Sequence, residues 1–100
     1  MSLAFVVSAA ALKDAAEAQR YLEELNSDAG PRFRNELERC WRYIIQYPHG
    51  FQIRHRQFRY APLAVFPYHV IYSVGQRCIV VHRIRHWHQK PLKRYSGPDA

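Results

Sequence analysis

Residues 82–88 read His82-Arg83-Ile84-Arg85-His86-Trp87-His88, an interleaving of imidazoles and guanidinium groups, with His69 upstream and Lys90, Lys93 and Arg94 downstream. Imidazole is the side chain whose charge changes near neutral pH, so it can take or give a proton in a reaction. Guanidinium and ammonium groups can hold a phosphate or carboxylate, or stabilise charge that develops on one. Together they suit phosphoryl chemistry or the binding of an anionic partner. His86 and His88 also have the alternate spacing of a metal pair. No carboxylate or Cys stands near them, so no metal site and no cofactor is expected, and solvated histidines beside basic residues are the simpler explanation. Trp87, set between two histidines, suits an exposed anchor at a protein interface or a surface for stacking on a base.

These residues hang on a predicted hairpin. Residues 66–74 (FPYHVIYSV) and 77–84 (RCIVVHRI) alternate and are rich in Val, Ile, Tyr and Phe, which suit a pleated, half-buried surface. Gly75-Gln76 between them reads as a two-residue turn, which pairs Val74 with Arg77 and Tyr72 with Ile79. One face then carries Tyr68, Val70, Tyr72, Val74, Ile79 and Val81, nearly all apolar, and belongs on a core. The other carries His69, Ile71, Ser73, Cys78, Val80 and His82 and is mixed. On this register His69 and His82 face each other. Packing is the ordinary explanation of such a pair, and an acid/base couple is the sharper one.

The rest of the chain must supply what that sheet packs on. Residues 3–7 (LAFVV) suit a short buried strand. That apolar start faintly resembles a signal-peptide core, but no basic residue precedes it. Ser8 can cap the helix-forming stretch that follows, residues 9–26, in which Leu12, Ala15, Ala18, Leu22 and Leu25 make an apolar stripe. Lys13, Asp14, Glu17, Arg20, Glu23 and Glu24 fall on its wet side. After a turn at 26–30, Pro31 fits the first position of a second helix, with Phe33, Leu37, Cys40, Trp41 and Ile44 inward and Pro48 and Gly50 ending it. Helices joined so briefly should pack antiparallel. Residues 51–60 (FQIRHRQFRY) alternate apolar with basic and read as one or two short strands, with Arg54 and Arg56 on a solvated edge or against a phosphate or partner. Arg59 suits a tie between strand and helix end, and Pro62 an edge or bulge. The expected fold is α+β: an N-terminal strand and an antiparallel helical hairpin on a small, mostly antiparallel sheet of three to five strands. It occupies residues 1–90 as a single domain, and 91–100 form a polar, fraying tail.

One hundred residues suit one small domain. A net charge of +7 and a pI near 9.9 predict attraction to a polyanion or an acidic partner. Cys40 and Cys78 lie in apolar segments without metal-knuckle spacing, which predicts buried free thiols in a reducing compartment. No run is long enough to span a bilayer.

In this order the residues resemble the RelE/ParE superfamily of bacterial type II toxin–antitoxin toxins. Residues 8–25 look like its first helix, and Phe33, Leu37, Ile44 and Pro48-x-Gly50 like its second. Arg59 stands seven residues before Phe66-Pro67-Tyr68, and FPYHVIYSV is similar to the family's Phe-Pro-Tyr-x-Ile-x-Tyr strand. Ile84-Arg85-His86 with Pro91 resembles its closing strand. The resemblance implies a cytoplasmic toxin neutralised by a cognate acidic antitoxin, as a homodimer or as a hetero-oligomer with it. It leaves two targets open. RelE-type toxins cleave mRNA on the ribosome with clustered Lys and Arg and a C-terminal Tyr. Here His69 follows Tyr68 where a catalytic Arg is usual, the lysine positions fall on Tyr60 and Pro62, Trp87 replaces a basic residue, and only Tyr95 matches the Tyr. ParE-type toxins lack that set and are associated with DNA gyrase. The Phe-Pro-Tyr strand looks more like theirs, which favours a non-enzymatic toxin with gyrase as target. On that reading Arg59, Arg83, Arg85, His86, Trp87, His88, Lys90, Lys93 and Arg94 contact target or antitoxin. On the nuclease reading His69, His82, His86 or His88 is catalytic, with Arg83 and Arg85. A basic nucleic-acid-binding module without toxicity is a third possibility.

Overall fold

A computed structural model describes residues 3–87, and the elements run β1 (Ala4–Val7), α1 (Ala9–Leu25), α2 (Ala29–Gln46), β2 (Ile53–His55), β3 (Phe58–Pro62), β4 (Tyr68–Val74) and β5 (Cys78–His86). The five strands form one sheet in the order β1-β5-β4-β3-β2. Only β1 against β5 is parallel, and the other three pairs are antiparallel. The expected α+β fold is present, and the helical hairpin packs on one face of the sheet.

The core forms where the two helices meet that face. Tyr68, Val70, Tyr72, Ile79, Val81 and Ile84 from β4 and β5 are buried against Phe33, Leu37 and Ile44 of α2 and the small residues Ala11 and Ala18 of α1. Phe33 sits at its centre, edge-on to Phe66 at 5.7 Å and to Tyr68 at 5.5 Å, the geometry that aromatic quadrupoles favour. Trp41 is half-buried on the same core, 5.5 Å from Phe5.

Ser8 begins α1 as expected. Its hydroxyl accepts from the Ala11 amide at 3.0 Å and donates to the His82 carbonyl at 2.8 Å, so one side chain caps the helix and ties it to β5. The helix is rotated from the expected stripe. Ala11, Ala18 and Leu22 are buried, while Leu12 is 59% and Leu25 68% exposed. The Ala11-Ala15-Ala18-Leu22 row has helical spacing too, and its small side chains let the helix lie close to the sheet. Helix α2 begins at Ala29, ahead of the expected Pro31. Proline is tolerated there because the first-turn amides have no partner within the helix. The Asn26 carboxamide shapes the connection by accepting from the Asp28 amide at 3.0 Å.

The β4–β5 register differs from the sequence expectation. Val74 pairs with Ile79 and Tyr72 with Val81, a slip of two residues. The Gly75 amide donates to the Cys78 carbonyl at 2.9 Å, which places the turn tip at Gln76-Arg77. A slip of two preserves the faces, so the apolar set is still on the core. Beyond Tyr72 the register shifts again. Ile71 pairs with Arg83, leaving His82 as the extra residue of a bulge. The middle of the second face is closed rather than open: Ile71, Ser73, Val80 and His82 are all buried. Cys40 is buried, but Cys78 is half-exposed, because it lies at the start of β5 beside the short edge strand β1.

Candidate partner-binding surface

Strand β1 ends opposite Val81, so among the described residues β5 runs on from His82 with no strand on that side. Helix α1 completes the edge. The Ser8 amide donates to the Val81 carbonyl at 2.9 Å. One turn and a half further on, Asp14 accepts from the Ile84 amide at 2.9 Å and from Arg83 Nε and a terminal nitrogen at 2.7 and 3.0 Å. A two-point guanidinium–carboxylate contact of this kind fixes orientation as well as charge. The sequence reading placed Asp14 on the wet side of the helix. It belongs to the inward row because a strand edge needs an acceptor there, a requirement that helical periodicity does not express. Arg83 is therefore part of the framework.

The two-residue slip and the bulge together separate the candidate histidines. His69 stands opposite Arg85, not His82. His82 is 4% exposed, with its Nε2 2.8 Å from the Ser73 hydroxyl and its ring 5.0 Å from Phe58. The expected His69–His82 pair does not exist. His86 lies opposite Tyr68 with its ring 5.2 Å away, on the side that carries α1. His88, Lys90, Lys93, Arg94, Pro91 and Tyr95 lie outside the described residues, as does the expected tail.

On the side of the sheet away from the helices, His69 joins a row of flat side chains. The Arg54 guanidinium lies over the Tyr60 ring at 5.2 Å, Tyr60 meets His69 at 5.6 Å, and His69 meets Trp87 at 5.7 Å. The row crosses β2, β3 and β4 and ends just past β5, where Trp87 is 52% exposed. The Trp87 amide donates to the Pro67 carbonyl at 2.9 Å, which holds its backbone in place. Arg85 adds a second guanidinium opposite His69. Burial, and then the nearby Arg54 charge, push the His69 pKa below its ordinary value. A neutral imidazole can sit edge-on between two rings without repelling its cationic neighbours. The sequence reading named Tyr60 only as a position where a nuclease lysine is missing. Its signal is alternation within FRYAP, which puts it two residues from Phe58 on the same face.

Arg59 has the expected structural role, donating to the Phe51 carbonyl at 2.6 Å and reaching the His49 carbonyl at 3.5 Å just past α2. Beside it, the Tyr72 hydroxyl donates to the Pro48 carbonyl at 2.8 Å, and burial pushes its pKa up to about 12. Pro62 pairs with His69 at the end of β3, beyond the reach of β2, so its missing N–H leaves no gap in the ladder. Among the described residues no group of His, Cys, Asp and Glu could hold a metal ion, and no helix is long and apolar enough to cross a membrane.

A family model described as the ParE toxin of a type II toxin–antitoxin system, parDE, matches residues 5–91. The chain belongs to the ParE toxin family. Among solved structures, a chromosomal ParDE toxin–antitoxin system from P. aeruginosa is similar, with a TM-score of 0.76 and 13% sequence identity over 85% of this chain and 96% of the other. At that identity the likeness is one of fold. No curated protein matches by sequence. This member of the ParE family thus carries its ring row and its helix-covered β5 edge on a fold that the solved structure shares.

Proposed function

We propose that this chain is a growth-inhibiting toxin that acts by binding a large protein target, DNA gyrase first among them, and that a cognate acidic antitoxin neutralises it in the cytoplasm. The observation that carries the binding reading is the dispersal of its histidines. His69 sits in the ring row, His82 is sealed behind the bulge, and His86 faces α1. General acid–base cleavage needs a donor and an acceptor converging on one substrate site, and the described histidines do not converge. What the surface offers instead is an exposed tryptophan backed by a row of edge-on and tilted rings, with guanidinium groups along it. That is the composition of a protein-interface anchor. The +7 charge favours an acidic antitoxin.

Purified protein added to a gyrase supercoiling reaction tests this. Supercoiling should stop, and equimolar antitoxin from the neighbouring gene should restore it. Undiminished supercoiling at micromolar toxin would refute gyrase as the target. A ribosome-dependent endoribonuclease remains the competing reading, with Arg54, Arg85 and the ring row as its one supporting feature.

A further inference from the structure

On the helix side of the sheet, α1 and the end of β5 enclose a groove of about 330 Å³, walled by Asp14, Glu17, Tyr21, Tyr68, Ile84 and His86. Its charge opposes that of the molecule. The chain carries +7, yet the groove holds two carboxylates about one turn of α1 apart. The Asp14 charge is balanced by Arg83. Glu17 has no hydrogen bond or ion pair among the described residues, so its charge is left to the groove.

Tyr68 lines the groove and is only 7% exposed as a residue, and its hydroxyl has no hydrogen-bond partner among the described residues. The ring is buried while the hydroxyl is not sealed from solvent, so a donor entering the groove can reach it. Burial and the adjacent Tyr21 keep this phenol protonated, so its oxygen remains a neutral acceptor. The Tyr68 ring and the His86 ring, edge to face at 5.2 Å, complete the walls.

A lone carboxylate, an unpartnered phenol oxygen and aromatic walls are complementary to a cation with several donors and a flat face. Guanidinium meets each requirement: it donates in a fixed fork and stacks on rings. An acidic segment drawn to this basic molecule would meet like charge in this groove, and a cationic side chain placed there would relieve it.

We propose that the groove receives one arginine side chain presented by the polypeptide partner, which fixes the register of an otherwise acidic segment. The partner's identity as antitoxin rests on the proposed function; the chemistry of the groove does not.

Amide chemical shifts of the full-length chain, titrated with L-argininamide and separately with its uncharged analogue citrullinamide, test the proposal without antitoxin or gyrase. Argininamide should bind in the millimolar range and shift the amides of Ala18, Tyr21 and Ile84. Citrullinamide should leave them unmoved. Glu17→Gln changes an exposed side chain, and Tyr68→Phe keeps the buried ring, so both variants retain the fold. Each should weaken argininamide by about tenfold, as loss of a hydrogen bond to a charged group implies. Equal shifts with citrullinamide, shifts elsewhere only, or unchanged affinity in both variants would overturn it. Because no toxin target takes part, failure here leaves the gyrase reading intact, and failure of the gyrase test leaves this result to stand alone.

Discussion

Asp14 accepts from Arg83 twice and from the Ile84 amide once, and each of those donors loses a partner when the carboxylate goes. The side chains are 11% and 22% exposed, so water replaces the carboxylate poorly. Asp14→Ala should therefore cost about 2–4 kcal/mol, near the range for breaking a buried ion pair. Asp14→Asn keeps an acceptor for Ile84 and should cost about half as much. Urea denaturation of the two variants checks both the size and the order. His69 gives a pH prediction. Its folded pKa is lowered, so near and below pH 6.5 the unfolded chain binds a proton more readily than the folded one. Stability should be constant in this respect above pH 6.5 and should fall as pH drops below it, levelling off once the folded imidazole is also protonated. In His69→Gln that portion of the acid dependence should vanish from thermal melts recorded between pH 7 and 5.

At the scale of elements, the β2–β3 turn holds Arg56 at φ 54, a left-handed conformation that a side chain other than Gly, Asn or Asp rarely adopts. Arg56→Gly removes that strain while loosening the unfolded chain, and it should stabilise the protein by up to about 1 kcal/mol, visible as a rise of a few degrees in the melting temperature. Element order was legible in the sequence because each element carries its own local signal. Ser8 caps, Pro48 and Gly50 stop a helix, and alternation marks 66–74 and 77–84. The face sorting of the hairpin survived a wrong register because the error was an even number of residues. What local pattern did not carry was the bulge at His82. It depends on the Ser8–His82 and Ser73–His82 contacts, which join residues distant in sequence. The two-residue slip alone would have set His69 opposite Ile84 and dissolved the predicted histidine pair, and the extra residue moved Arg85 into that place. The Asp14 contact was hidden for the same reason: its partners lie 69 and 70 residues away.

Across the whole molecule, framework and surface divide the basic residues. Arg59 ties β3 to the loop that follows α2, and Arg83 ties β5 to α1. Arg54 and Arg85 stand beside the ring row, and the groove under α1 reverses the sign of the charge. On the proposed reading, this division suits a toxin that binds partners at several places and does not cleave, and that is the central claim to test. Mapping the 5′ ends of messages in a bacterium after induced expression tests it most directly. The account predicts arrested growth with message ends unchanged from the uninduced culture. New ends inside translated reading frames, lost in His69→Gln or His86→Gln, would contradict it and make the chain a ribosome-dependent nuclease.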